Sequence, residues 1–121
     1  GALGDFRRKS HGGFEYRTLP SWLVSPRLAC GVLALAKVAA EHARDLAASR
    51  PLDDDAVRDA FYAGERDVLL PGVAAVREAL SRTSGYRKYE PYIAPLFQAI
   101  DKGRTWNEAA DLRDRWGISV R

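Results

Sequence analysis

An alternating stretch near the N-terminus, followed closely by a helix start signal, constrains the fold of this chain most strongly. In residues 14–18 (FEYRT) every second side chain leaves the same face of an extended strand. Residues 13–19 are therefore predicted to form a strand, and no other segment has a convincing strand pattern. Ser25 and Pro26 then provide an N-cap and a first helical residue, so the chain is predicted to change from strand to helix here.

The rest of the sequence has the pattern of a helical bundle. Apolar residues at helical spacing predict helices at residues 26–48, 53–63, 71–82, 91–102 and 105–116, and the first, small on several faces, is predicted to be central. A capping box at 105–108 is predicted to begin the last helix, and Gly64, Gly103 and Gly117 are predicted to end the second, fourth and last helices. The predicted fold class is α+β and mostly α, with one N-terminal strand followed by a bundle of four or five helices. Because an isolated strand leaves its backbone groups unpaired, we expect that strand to belong to a larger antiparallel sheet. The predicted organisation is a strand and loop region at 1–24 and a helical bundle at 25–121, as a single domain or a fragment of a larger one.

Glu15 and Arg17 are the strongest candidates for function within the strand. They lie two residues apart, so both side chains leave the face opposite that of Phe14, Tyr16 and Thr18, which suit a buried layer. A carboxylate beside a guanidinium is able to hold a divalent cation and a phosphate oxygen, respectively. The alternative is a structural salt bridge on an ordinary strand.

Three other groups of polar or aromatic residues have structural explanations. The aspartates at 53–55 favour N-capping of a helix over metal binding, because consecutive helical residues point in different directions. Tyr86, Tyr89 and Tyr92 are able to stack on bases, but packing of a loop onto the protein body is favoured. His42, near the polar end of the first helix, is predicted to be solvated.

Composition limits the classes of protein that fit. The chain has 121 residues, 46% of them hydrophobic, which is enough for one domain with a core and argues against disorder. Its net charge is +3, with 15 arginines against 4 lysines. No helix has a one-sided basic stripe, so nucleic acid is an unlikely partner, although residues 7–9 and 87–88 leave it open. No membrane span or signal peptide is visible, and the single Cys30 has no internal disulfide partner, so a cytoplasmic protein is expected.

The order of these elements resembles the C-terminal part of the glutamine-synthetase-like carboxylate–amine ligases, and within them the phage-type COOH-NH2 ligase (amidoligase) group. The resemblance covers about residues 4–48 and is carried by three segments: residues 4–7 (GDFR), 13–18 (GFEYRT) and 21–28 (SWLVSPRL). Beyond this range it implies no more than further helices.

The resemblance implies a function and a set of site residues. Glu15 would ligate a catalytic metal, and Arg17 would act catalytically and hold nucleotide phosphate, with Arg7 and Arg8 as further phosphate-binding residues. The cofactors would be ATP and Mg²⁺ or Mn²⁺, and the substrates a small carboxylate and an amine, joined through an acyl phosphate. Lys9 and His11 are secondary candidates for the same phosphate-binding role.

Most of the family's metal-binding glutamates are expected on other strands, which this sequence lacks. The chain is therefore predicted to be inactive alone and to need the rest of the enzyme, or a partner chain that completes the sheet. The alternative is a small helical protein-interaction module without catalytic activity.

Overall fold

The protein is mostly helical, with a short β-hairpin at its N-terminal end. A computed structural model describes residues 5–16, 22–104 and 111–119. Within these ranges the elements are β1 (Phe6–Arg8), β2 (Phe14–Tyr16), α1 (Pro26–Glu41), α2 (Ala43–Leu46), α3 (Asp55–Ala63), α4 (Arg66–Ser81), α5 (Tyr86–Asp101) and α6 (Leu112–Trp116). The predicted α+β, mostly α class is confirmed. The division into regions 1–24 and 25–121 stays a prediction.

The hairpin adds a second strand to the predicted one. β1 and β2 pair antiparallel, with Phe6 opposite Tyr16, Arg7 opposite Glu15 and Arg8 opposite Phe14. Residues 9–13 connect the two strands, and the backbone N–H of Lys9 donates to the carbonyl of Gly13 (2.8 Å) across the turn. Gly12 has a φ of +84°, which lies in the left-handed region that favours glycine. β2 therefore has a hydrogen-bonding partner within the chain along one edge, and the larger sheet stays a prediction.

Helix α1 begins as predicted but is shorter than residues 26–48. The backbone N–H of Leu28 donates to Ser25 Oγ (3.2 Å), which confirms the N-cap. The helix ends at Glu41, and the four-residue α2 follows after His42, whose backbone is not helical. The prediction of a solvated His42 was wrong: its side chain is 17% exposed, and Nε2 accepts a hydrogen bond from the backbone N–H of Gly85 (3.2 Å).

Helices α4 and α5 both begin before the prolines that predict their starts. Pro71 and Pro91 predict the first helical residues, but α4 begins at Arg66 and α5 at Tyr86. Both prolines lie five residues into their helices, where each removes one backbone donor. Pro95 lies further along α5, and the helix nevertheless continues to Asp101. Burial of the apolar face of α5 offsets the local cost of its two prolines.

Helices α1 and α5 pack together most extensively, while α4 contacts both α5 and α3. The predicted central position of α1 is therefore confirmed. The core consists of side chains from α1, α5 and the ends of their neighbours: Ala34, Val38, Leu80, Tyr86, Ile93 and Phe97. Tyr86 is buried and Tyr89 packs against this core, as the packing interpretation predicts, whereas Tyr92 is exposed.

Gly31 allows the close approach of α1 and α5. A Cβ atom at this position would lie 2.7–2.9 Å from three side-chain atoms of Leu96, which is itself buried. We expect Gly31→Ala to lower the free energy of unfolding by about 1 kcal/mol, because overpacking costs more than the helix propensity gained from alanine. Urea denaturation measures this change. In a Leu96→Ala background the substitution should become neutral or stabilising, and stabilisation in the wild-type background would contradict the expectation.

The C-terminal helix α6 is attached to the segment that precedes α1. The indole Nε1 of Trp116 donates to the backbone carbonyl of Leu23 (2.9 Å). Gly117, with a φ of +62°, ends α6 as predicted, and Gly103 likewise follows α5 in the left-handed region. The contact between Trp116 and Leu23 places the C-terminal end close to the chain that connects the hairpin to the bundle.

The predicted capping box at 105–108 lies outside the described residues. The prediction of a continuous helix over 105–116 was wrong, because Asp111 has an extended backbone and accepts a hydrogen bond from the Arg113 N–H (2.8 Å) as the N-cap of α6.

Candidate functional site

The hairpin brings Arg7 and Glu15 together on one face. They are directly opposite each other in the strand register, so their side chains leave the same face of the two-stranded sheet. Arg7 Nη2 donates a hydrogen bond to Glu15 Oε2 at 2.7 Å. Lys9 Nζ, at the start of the hairpin loop, contacts the same carboxylate oxygen. The described part of the site is therefore one carboxylate held between two cations.

These two cations lower the pKa of the Glu15 carboxyl group. Hydrogen bonds from Lys9 and Arg7 lower the pKa of the Glu15 carboxyl to about 2, because both favour the charged form. A glutamate is ionised at neutral pH at its ordinary pKa as well, so the two cations extend the ionised range of Glu15 toward acidic pH. All three side chains are partly exposed, so water screens their attraction.

Of the other predicted site residues, Arg8 lies on the face away from the Glu15 carboxylate and Arg17 is outside the described residues. Arg8 follows Arg7 on β1, so its side chain leaves the opposite face of the strand, and it is exposed. The structure does not bring Arg8 to the Glu15 carboxylate. Arg17 and Thr18 lie outside the described residues, and so do the side chains of Phe14 and Tyr16, so the predicted buried layer and the predicted arginine remain untested.

Lys9 is the residue that sequence reasoning underestimated. It was a secondary candidate, yet it is a direct partner of Glu15. The signal in the sequence was a short glycine-containing segment, residues 9–13, between two extended stretches, which is typical of a hairpin. Had residues 6–8 been paired with residues 14–16, the hairpin would have predicted that Arg7 and Lys9 lie near Glu15.

The charges on this face fit a metal together with an anion better than a bare metal. Arg7 and Lys9 repel a cation and compete for the one carboxylate oxygen that they share. An anionic phosphate would satisfy both cations, which would then no longer compete with Mg²⁺ for the Glu15 oxygen. The donor set is therefore compatible with the metal and nucleotide phosphate that the resemblance implies.

The aspartates at 53–55 form no comparable site. Asp54 accepts a hydrogen bond from the backbone N–H of Ala56 (2.7 Å), as an N-cap, while Asp53 and Asp55 pair with Arg50 and Arg58. The capping interpretation is confirmed. Among the described residues, no group of three or more His, Cys, Asp or Glu side chains is arranged to hold a metal ion.

Comparison with known families gives the class of protein. The family model described as "Phage phiEco32-like COOH.NH2 ligase-type 2" matches residues 1–118, and the chain belongs to this family. The match includes both the hairpin and the helices, and it confirms the ligase family predicted from the sequence. No curated protein and no solved structure matches the chain.

The helices also bear on the predicted lack of a membrane partner. Within the part of the chain that the structure describes, every helix is too short or too polar to cross a bilayer.

Proposed function

We propose that the chain is the C-terminal portion of an ATP- and metal-dependent, glutamine-synthetase-like carboxylate–amine ligase. The observation that carries this proposal is the charged face of the hairpin, in a chain that belongs to a COOH.NH2 ligase family. It supplies an ionised carboxylate and two cations from adjacent strand and loop positions. The proposal places the reaction in the cytoplasm, where ATP and magnesium are available.

The proposed reaction has two steps. The carboxylate substrate attacks the γ-phosphorus of ATP, so that an acyl phosphate forms and ADP leaves. The amine then attacks the acyl carbon, and the C–O bond to phosphate breaks, which gives the amide, inorganic phosphate and a proton. A bound divalent cation would neutralise charge on the transferring phosphoryl group.

The residues of this chain would divide that work by charge. Glu15 would be a metal ligand, while Arg7 would hold phosphate oxygens from the same face. Arg17 would be the catalytic phosphate clamp, and Arg8 would reach phosphate only if the nucleotide extends around the strand. Because negative charge spreads over the phosphoryl oxygens, fixed guanidinium groups stabilise the transition state more than flexible ones.

The proposal includes the expectation that this chain is inactive alone. Mg²⁺ requires about six oxygen ligands, and Glu15 supplies one side chain toward that number. The other ligands would come from substrate phosphates, water, the rest of the enzyme, or a partner chain that adds strands to the hairpin.

Substitution of Arg17 tests the catalytic assignment. We expect Arg17→Lys, in the active enzyme that contains this chain, to lower ATP turnover by at least about tenfold, because a point charge does not replace a bidentate fork. Steady-state ADP release at saturating carboxylate and amine measures this effect. Arg44→Lys, on the exposed surface of α2, is the matched control and should keep full turnover. Unimpaired turnover in Arg17→Lys would remove Arg17 from the site.

The alternative, a protein-interaction module, is favoured by one surface. A groove of about 1030 Å³ lies between α3, α4 and the loop that precedes α3, and exposed apolar side chains such as Leu52 and Phe61 line it. Exposed apolar clusters are typical of binding surfaces. Nucleotide binding that depends on Glu15 separates the two functions, because a purely interacting module has no use for it.

A further inference from the structure

The Glu15 carboxylate lies where a ligand's oxyanion would be expected to lie. A single oxygen, Oε2, is shared by Arg7 Nη2 and Lys9 Nζ, so the two cations converge on one point. A carboxylate or phosphoryl oxygen of a ligand would offer these side chains the same charge-assisted hydrogen bonds. In the structure the two cations therefore converge on one oxyanion, that of Glu15.

We propose that Glu15 is a built-in competitor for an oxyanion site formed by Arg7 and Lys9, and that a divalent cation at Glu15 opens this site. The proposal rests on the metal-ligand role of Glu15 in the proposed function. It adds Lys9 as an anion-binding residue and adds a coupling between the two ligands. The ligand class is a carboxylate or a phosphoryl group.

The coupling follows from competition for one oxygen. A metal ion that binds Glu15 Oε2 removes the negative charge that holds Arg7 and Lys9, so both cations become available to an anion. An anion that binds Arg7 and Lys9 removes these two cations as competitors for Glu15 in the same way. Because coupling free energies are reciprocal, each ligand must raise the affinity for the other by the same factor.

Metal-free anion binding to the 121-residue chain tests the competition directly. Pyrophosphate and succinate are titrated calorimetrically, at fixed ionic strength and with a chelator, into wild type and Glu15→Gln. We expect Glu15→Gln to bind at least one probe roughly two- to tenfold more tightly, the range expected when exposed ion pairs stop competing. A gain for pyrophosphate identifies a phosphoryl site, and a gain for succinate identifies a substrate carboxylate site.

Two variants separate this competition from a general change of charge. Glu41→Gln removes the same charge from another ion-paired glutamate, 42% exposed against 38% for Glu15, and should leave anion affinity unchanged. Lys9→Gln/Glu15→Gln should lose most of the gain, because one of the two released cations is gone. An equal gain in Glu41→Gln, or no gain for either probe in Glu15→Gln, would overturn the proposal.

A metal titration distinguishes failure of this proposal from failure of the proposed function. Mn²⁺ binding to the active enzyme that contains this chain, which would supply the remaining metal ligands, is measured by water proton relaxation. Lys9→Gln should bind Mn²⁺ more tightly than wild type, because Glu15 has lost a competitor. An unchanged Mn²⁺ affinity in Lys9→Gln would overturn the coupling while leaving the metal role of Glu15 intact. Absence of Mn²⁺ binding in every variant would instead contradict the metal role itself, and with it the opening of the site by metal.

Discussion

Glu15→Gln should lower metal-dependent ATP turnover by at least about 100-fold in the active enzyme, while the protein stays folded. Loss of a group that merely orients a metal ligand typically costs roughly 10–100-fold, so loss of a ligand itself should cost at least as much. Glutamine has nearly the same shape but no charge, so it binds a hard divalent cation weakly. ADP release measured across a range of Mg²⁺ concentrations should show both lower turnover and a weaker dependence on metal.

The control for this prediction is the same substitution at Glu41, which also forms an ion pair, with Lys37 on the surface of α1. Its turnover and its thermal unfolding midpoint should match those of wild type. Glu15→Gln should also keep the wild-type midpoint, since the Glu15 ion pairs are solvent-exposed and contribute little to stability. Unimpaired turnover would remove Glu15 from the site, and an unfolded variant would make its ion pairs structural.

Ile93→Ala should destabilise the protein by about 2–5 kcal/mol, the range for truncation of a large aliphatic core residue. Ile93 lies on α5 in the interface with α1, and its side chain is 0% exposed. The substitution loses buried apolar surface and leaves a cavity that the helix pair is unable to close fully. Urea unfolding followed by circular dichroism measures this change in free energy.

Ile118→Ala is the matched control, because Ile118 is 59% exposed after the end of α6. It should change the free energy of unfolding by less than about 0.5 kcal/mol. Equal effects of the two substitutions would contradict the packing of α1 against α5 as the source of stability.

Local signals in the sequence were sufficient for several elements. The Ser25 N-cap, an N-cap among the aspartates at 53–55 and the glycines that end α3 and α6 were all predicted and are confirmed. Each of these features depends on a side chain or backbone angle within one helical turn. The strand at 14–16 was likewise predicted, because its alternation is a local pattern.

The errors arose where distant contacts override local preference. Proline favours the first helical position, so Pro71 and Pro91 predict helix starts, but both helices begin five residues earlier. In α5 this earlier turn carries Tyr86, which is part of the core, and Tyr89, which packs against it. His42 was predicted to be solvated, and a hydrogen bond from Gly85, 43 positions further along the chain, holds it instead. Neither the core contacts of α5 nor the hydrogen bond between Gly85 and His42 leaves a periodic signal in the sequence.

The candidate site was predictable only in part, because some of it depends on contacts between separate segments of the chain. Glu15 follows from the strand pattern and the family resemblance, and Arg7 from the resemblance. That both Arg7 and Lys9 meet at one oxygen of Glu15 follows from the hairpin register, which requires pairing of two separate segments. The pairing determines which cations reach the carboxylate, and it is the basis of the proposed coupling.

Calorimetric titration with Mg²⁺ and a non-hydrolysable ATP analogue tests whether the hairpin forms a metal–nucleotide site, with the active enzyme and its Glu15→Gln variant compared under the same conditions. We expect binding by wild type that the variant loses when Mg²⁺ is present. Equally strong Mg²⁺-dependent binding by both proteins, or no binding by either, would contradict a metal–nucleotide site on this hairpin.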